Sequence, residues 1–128
     1  MQNELKQEDN YRLLLKAFSS KNARVLNVLY KIVLELGDIA DRVPLFLETL
    51  ASAALVKTFK TSKDIGLKLE TTVFLRILCE CNRTTAVEMA KYGAVQTIID
   101  DLAKYTKGTH MISSYLEHLL AMMAMVAR

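Results

Sequence analysis

The stretch that decides the fold is NRTTAVEMAKYGAVQTIIDDLAKY, residues 82–105. It begins with Asn82, a residue type that caps helices, and continues with a short helical pattern that Gly93 interrupts. In the pattern that follows, Ile98 and Leu102 fall on one face at helical spacing. We therefore predict two helices joined by a sharp turn at Gly93, because glycine accepts a positive φ or a close backbone approach without penalty.

Apolar residues keep this helical spacing along the rest of the chain. Five further helices are predicted from it: from Asn10 to Phe18, over 22–36, over 44–59, over 64–81 and from Thr109 onward. Gly37 is placed to end the second of them, and Pro44 is placed to start the third because its fixed φ suits a first turn. Only four Gly and one Pro occur in the chain, which also favours long helices with short connections. The sequence thus predicts an all-α fold.

Charge and hydropathy limit the classes of function. Hydrophobic residues make up 52% of the 128, and 17 Lys and Arg exceed 14 Asp and Glu by a small margin, scattered along the chain. This scatter argues against a nucleic-acid binder, which gathers its cations on one face. The N-terminus MQNELKQEDN lacks the basic and apolar segments of a signal peptide, and charges interrupt every apolar run before it could span a membrane. We expect a protein without a membrane span, in the cytoplasm or the nucleus.

The ends of three predicted helices resemble one another. Their sequences are LYKIVLEL (29–36), LRILCEC (75–81) and LLAMMAMV (119–126), which start 46 and 44 residues apart. Helical repeat proteins of the HEAT and armadillo type repeat every 40 to 47 residues or so. A short helix, a glycine turn and a longer helix precede the third segment, so residues 82–128 resemble an armadillo repeat.

The resemblance to armadillo-type proteins implies a right-handed superhelical stack of about three repeats in one domain, residues 1–128. In this arrangement residues 1–9 would be frayed and residues 10–36 would form a partial repeat. Two further repeats would follow, over 38–81 and 82–128. The earlier full copy has no turn glycine at 41–43, and the chain has no Trp. These departures argue against an importin-like reader of extended basic peptides.

The repeat register also predicts a core. Five apolar residues are expected on the core face of the helix over 64–81: Leu69, Val73, Phe74, Ile77 and Leu78. Phe74 and Leu78 are expected between the second and third helices of the last full repeat. Ile98 and Leu102 are expected to meet them there, while Thr97 and Asp101 are assigned to the outer surface.

In armadillo-type proteins the third helix of each repeat lines the concave surface, so its residues outside the core are expected to contact a ligand. The implied partner-binding residues occupy i, i+4 and i+8 positions of three helices: Asn27, Lys31, Glu35, Thr72, Arg76, Glu80, Ser114, His118 and Met122. Lys31, Arg76 and His118 would form a row of cations facing hydrogen-bond acceptors of a peptide. A solvated polar face without a ligand explains the same pattern.

Residues that could carry chemistry do not form a recognisable site in the sequence. Cys79 and Cys81 are two residues apart, so a helix turns them about 200° from one another and they cannot share a metal ion. His110 and His118 are eight apart and do not form the i, i+4 pair of helical zinc sites. We therefore expect neither metal nor cofactor, and no enzyme.

Two functions remain open from the sequence. The first is a non-catalytic scaffold that binds a peptide or a partner domain on its concave surface. The alternative is a self-associating structural element that uses its apolar C-terminal helix, in which Met111, Met122, Met123 and Met125 are crowded. Those methionines would equally suit packing against a following repeat. Because the last helix has no capping signal, we expect the chain to be a fragment of a longer one.

Overall fold

The computed structural model describes residues 4, 7–106 and 108–126. Between residues 8 and 126 the described chain forms eight α-helices and one 3-10 turn, Ala17–Ser19, with no strand, so the predicted all-α class is confirmed. The helices are α1 Glu8–Lys16, α2 Ala23–Leu36, α3 Ile39–Glu48, α4 Ala51–Thr61, α5 Ile65–Cys81, α6 Arg83–Lys91, α7 Ala94–Lys104 and α8 His110–Val126. No helix in this part of the chain is both long and apolar enough to cross a membrane.

Side-chain caps set the start of three helices. Asn22, Asp64 and Asn82 each accept a hydrogen bond from the backbone N–H two residues further on, at 3.0, 3.0 and 2.8 Å. These bonds satisfy N–H groups that have no partner within the first turn of a helix. Gly37, with φ of 71°, ends α2. The helix predicted over 22–36 is therefore confirmed to within one residue.

The first helix begins earlier than predicted. α1 starts at Glu8, and Asn10, which was expected to cap it, lies inside its first turns, where its side-chain amide donates to the carbonyl of Glu4 at 2.8 Å. Residues 1–3 and 5–6, most of the segment predicted to be frayed, lie outside the described residues.

The single helix predicted over 44–59 is wrong, because two helices occupy that stretch. α3 ends at Glu48 and α4 begins at Ala51, and Leu50 between them has a left-handed backbone with φ of 61° and ψ of 20°. Pro44 lies inside α3 instead of starting a helix, so it cannot donate to the carbonyl four residues earlier. Leucine is not a turn residue, and the apolar run therefore gave no sign of the break.

The elements α3 to α5 and α6 to α8 form two three-helix units of the same pattern. Their helices contain 10, 11 and 17 residues in the first unit and 9, 11 and 17 in the second. Gly93 precedes α7 as Leu50 precedes α4, and it has φ of 85° and ψ of 21°. The sharp turn predicted at Gly93 is confirmed, and its counterpart in the first unit is Leu50 rather than a residue of 41–43.

Helix α5 lies at the centre of the fold, packed against α2, α3, α4, α6 and α8. Its buried side chains are Leu67, Lys68, Thr71, Thr72, Phe74, Leu75, Leu78 and Cys79. Leu69, Val73 and Ile77 are half-buried and share a different face at i, i+4 and i+8. Leu69 and Ile77 pack against the core as predicted, but the assignment of Val73 to the core face was wrong, because a helix with neighbours on several sides does not confine its apolar residues to one stripe.

Four aromatic rings form the centre of the N-terminal half of the core. The ring centroid of Phe74 lies 5.6, 5.4 and 5.8 Å from those of Phe18, Tyr30 and Phe46, so α5 joins the 3-10 turn, α2 and α3. Phe74 is buried as predicted, but its ring contacts are with the first half of the chain instead of the last full repeat. Ile98 and Leu78 are fully buried, and Leu102 is half-buried.

Candidate functional site

The nine predicted partner-binding residues lie on three helices that pack side by side, α2 against α5 and α5 against α8. Two of the nine, Thr72 and Met122, have no exposed surface. The hydroxyl of Thr72 donates to the carbonyl of Lys68 at 2.6 Å, and Met122 belongs to the apolar core. Placing them on a partner-binding face was therefore wrong, because α5 and α8 bury a wider arc than the predicted stripe.

The other seven predicted residues reach the surface. Those that are exposed are Lys31, Glu35 and Glu80, and those that are half-buried are Asn27, Arg76, Ser114 and His118. Two hydrogen bonds that connect neighbouring helices involve members of this set, one between α2 and α5 and one between α5 and α8.

The bond between α5 and α8 joins Arg76 to His118. The Arg76 Nε donates to Oε1 of Glu80 at 2.9 Å, and its Nη1 lies 3.0 Å from Nδ1 of His118. A guanidinium can only donate, so Nδ1 is the acceptor and the imidazole carries its proton on Nε2. Burial, and then the Arg76 charge, lower the pKa of His118. At neutral pH the imidazole is therefore uncharged, and the expected row of three cations contains two.

The bond between α2 and α5 joins Asn27 to Glu70. With its amide nitrogen turned towards α5, Asn27 donates to the carboxylate of Glu70 and, at 3.3 Å, to the carbonyl of Ala23. Glu70 was not among the predicted site residues. An isolated acidic residue on a helix carries no signal of its neighbour 43 positions away, so the sequence could not indicate this contact.

The exposed side of α5 combines apolar and charged side chains. Leu69, Val73 and Ile77 are half-buried there, and Arg76 and Glu80 lie three residues after Val73 and Ile77 and so beside them on the helix. These five residues are named the α5 face. An apolar stripe with charged flanks is a surface on which a partner can bury hydrocarbon and still satisfy its polar groups.

A buried charged cluster joins α5, α7 and α8. The Nζ of Lys68 lies 2.5 Å from Oδ2 of Asp101, and the Tyr115 hydroxyl donates to the same oxygen at 2.5 Å. Lys68 and Asp101 are only 4% and 7% exposed, so the assignment of Asp101 to the outer surface was wrong. Burial and the hydrogen bond to Asp101 raise the pKa of Tyr115, which keeps the hydroxyl protonated as a donor. The cluster ties three helices together and offers no face to a ligand.

The remaining candidates for chemistry are dispersed. Cys79 is buried with its Sγ 3.0 Å from the sulfur of Met89, and burial raises the pKa of its thiol to about 12. Cys81 and His110 are exposed. Among the residues that the structure describes, no group of three or more His, Cys, Asp or Glu side chains could hold a metal ion.

No protein-family model, curated protein or solved structure matches the chain. The resemblance to armadillo repeats is therefore supported by the helix pattern alone.

Proposed function

We propose that the chain is a non-catalytic interaction module that holds a peptide or a partner domain on the α5 face and on the exposed residues of α2 and α8 beside it. The observation that carries the proposal is that hydrogen bonds cross from α2 to α5 and from α5 to α8, which makes one surface of three helices. The partly exposed apolar side chains of α5 lie in the middle of this surface.

The proposed architecture is a right-handed stack of armadillo-type repeats. Each three-helix unit would be one repeat, and α1 and α2 would be the second and third helices of a preceding one. The similar helix lengths of the two units support this arrangement, as does the left-handed turn that recurs before the second helix of each. In such a stack α2, α5 and α8 are the third helices and line the concave surface.

The chemistry of the surface favours a partner with both apolar and hydrogen-bonding groups. Leu69, Val73 and Ile77 offer hydrocarbon, while the N–H groups of Arg76 that do not bond Glu80 or His118 can donate to a carbonyl or carboxylate of the partner. Glu80 accepts and can bind backbone N–H groups or a cationic side chain. A peptide segment with an apolar side chain between polar ones meets these requirements, in an extended or a helical conformation.

Capture of partners from an extract of the cells that make the protein tests this proposal. We expect Val73→Glu and Arg76→Glu each to lower the yield of specific partners at least tenfold, as measured by quantitative mass spectrometry. Thr97→Arg on α7 is the matched control and should keep the wild-type yield. Melting temperatures measured by circular dichroism should be similar for all four proteins, because surface changes alter stability little. Normal capture by both α5 variants, with loss in the control, would place the working surface on α7.

A second candidate function, self-association, has an observation of its own. Leu120 is 60% exposed on α8, and Val25 and Val28 are 43% and 56% exposed on α2. Val25 lies two residues from Asn27, and Leu120 two residues from His118. Each therefore points about 200° away from a side chain that contacts α5, and Val28, three residues after Val25, lies on the same side of α2 as Val25. The two outermost third helices thus present apolar surface on their far sides, where another copy of the chain could stack.

A further inference from the structure

A groove runs along α4, away from the α5 face, and its other side is formed by the end of α1, the 3-10 turn and residues 20–21. It consists of two adjoining depressions of about 480 and 420 Å³, which share Ser19, Ala54 and Lys57 in their lining. It extends from Leu50, before α4, to Ser62, after it. Depressions of this size are in the range that binds ligands in proteins. We call it the α1–α4 groove.

The charged side chains that line the α1–α4 groove are all cations. Lys16, Lys21 and Lys57 contribute to it, and no Asp or Glu does. None of these three lysines forms an ion pair with a carboxylate of the described chain, whereas Arg12, Lys68, Arg76 and Lys91 do. A smaller depression of about 210 Å³ on the other flank of α4 also includes Lys57 and adds Lys60, again without a carboxylate. The positive potential of this region is thus not neutralised by the described neighbours.

The floor and one wall of the α1–α4 groove are apolar and smooth. Leu15, Phe18 and Leu26 lie at its floor and are at most 1% exposed, and the short side chains of Ala51, Ala53 and Ala54 line the α4 side. Short side chains let a ligand backbone approach closely, and the partly exposed side chains of Leu50, Ala53 and Ala54 offer hydrocarbon to apolar ligand groups. The groove therefore combines a hydrophobic base with cationic edges.

We propose that the α1–α4 groove binds an acidic peptide segment of another protein, with carboxylates at the lysines and apolar side chains over the floor. Ammonium groups only donate hydrogen bonds, and carboxylates are the acceptors that also neutralise their charge. Helix α4 has 11 residues and a length of roughly 16 Å, which about five residues of extended peptide span.

The lining disfavours the other anionic ligands. Single-stranded nucleic acid is held by exposed aromatic rings on which bases stack. The aromatic residue that lines the α1–α4 groove is Phe18, which is 1% exposed and cannot offer its ring face. A single inorganic anion would leave most of the groove, including its apolar floor, without a partner.

Selection from a library of random twelve-residue peptides tests the proposal directly on the wild-type protein. We expect the retained peptides to be enriched at least threefold in Asp and Glu over the starting library. A synthetic copy of the most enriched peptide should bind the double variant Lys21→Glu/Lys57→Glu at least tenfold more weakly, measured by fluorescence anisotropy. The charge-matched control, Lys91→Glu/Lys104→Glu on α6 and α7, should bind it within twofold of wild type.

Each other outcome would overturn the proposal. Enrichment of neutral or basic peptides, or no enrichment, would contradict an acidic ligand. Equal binding by the Lys21→Glu/Lys57→Glu variant would show that acidic peptides bind elsewhere, and a loss confined to the Lys91→Glu/Lys104→Glu control would assign them to the surface of α6 and α7. If a twelve-nucleotide oligothymidylate bound more tightly than the enriched peptide, and the Lys21→Glu/Lys57→Glu variant weakened its binding as well, the ligand of the groove would be a nucleic acid. Should the double variant melt earlier than wild type, Lys21→Gln/Lys57→Gln replaces it, with at least a threefold weakening expected.

Discussion

At the scale of single residues, Leu50 has a backbone that leucine rarely adopts. Its φ of 61° lies in the left-handed region, which costs an L-residue about 1 to 2 kcal/mol, and its side chain is 62% exposed and so repays little by packing. We expect Leu50→Gly to raise the free energy of unfolding in urea by about 0.5 to 1 kcal/mol. Ala53→Gly, inside α4, is the control and should lower it by about 1 kcal/mol. If the free energy of unfolding fell in both variants, the Leu50 side chain would have to stabilise the turn.

The glycine at the equivalent turn should respond in the opposite direction. Gly93 has φ of 85°, and a Cβ there would lie 3.1 Å from the Lys60 ammonium, which donates to the Tyr92 carbonyl at 3.0 Å. Valine disfavours positive φ strongly because it is β-branched, so Gly93→Val should lower the free energy of unfolding by at least about 1 kcal/mol. An equally stable valine variant would show that the two turns are not equivalent and would weaken the repeat proposal.

The two cysteines should react at very different rates. Burial raises the pKa of the Cys79 thiol to about 12, so at pH 8 only about one molecule in ten thousand carries the thiolate that attacks a disulfide reagent. Cys81 is exposed two residues later. An aromatic disulfide reagent should therefore titrate one thiol quickly in the native protein and the second only in denaturant. Cys81→Ser should remove the fast phase. Two fast thiols would mean that the end of α5 opens readily.

At the scale of the helices, the buried pair of Lys68 and Asp101 ties α5 to α7. Asp101→Ala would leave the ammonium buried without a counter-charge and the Tyr115 hydroxyl without an acceptor, which should cost about 3 to 5 kcal/mol in urea unfolding. The double variant Lys68→Met/Asp101→Leu should recover at least half of that loss, because it removes both charges together.

A surface pair provides the control for this element. Lys91 and Glu88 are 3.2 Å apart with side chains 66% and 25% exposed, so Glu88→Ala should cost less than about 1 kcal/mol. If Asp101→Ala cost no more than Glu88→Ala, water would have to reach the Lys68 ammonium in the folded state.

The helices show what local sequence can and cannot predict. Asn22, Asp64 and Asn82 act within three residues of their own positions, so the caps and helix starts that depend on them follow from the sequence. The break at Leu50 does not, because the fold imposes a left-handed turn on a residue type that does not indicate one. Lys68 and Asp101 are 33 residues apart, and pairing at that distance depends on how the helices dock.

The candidate site shows the same division between spacing and packing. Spacing at i, i+4 and i+8 groups residues correctly on one helix, but packing decides which group faces outward. Thr72 was expected at the surface and Val73 in the core, whereas Thr72 is buried and Val73 is half-buried, because neighbours surround α5 on several sides. Packing also decides the charge of His118, because burial and the neighbouring Arg76 lower its pKa and leave the imidazole neutral.

At the scale of the whole molecule, α5 organises the surfaces as well as the core. It contributes Phe74 to the aromatic cluster, Lys68 to the charged cluster and the α5 face to the proposed partner surface. The α1–α4 groove contains no residue of the α5 face. Two ligands could therefore be bound at once without competing for side chains.

The apolar side chains on the far sides of α2 and α8, at the two ends of the row α2, α5 and α8, predict how copies of the chain associate. Because the far sides of α2 and α8 differ, contact between them is head to tail and can continue from copy to copy. We expect the mean mass of the wild-type protein in sedimentation equilibrium to rise with concentration. Val28→Glu blocks the α2 end and Leu120→Glu the α8 end, so each variant alone should stay monomeric.

Mixing the two blocked variants separates this geometry from a symmetric dimer. Each variant keeps one intact end, and the two intact ends are complementary, so an equimolar mixture should form a one-to-one dimer and nothing larger. A symmetric contact of α8 with α8 predicts another result, in which Leu120→Glu is monomeric, Val28→Glu still dimerises and the mixture contains no mixed dimer. Circular dichroism of each variant checks that the glutamates, placed at positions 56% and 60% exposed, leave the fold intact. Wild-type protein that stays monomeric at the highest concentrations would reject self-association and leave partner binding as the function of these surfaces.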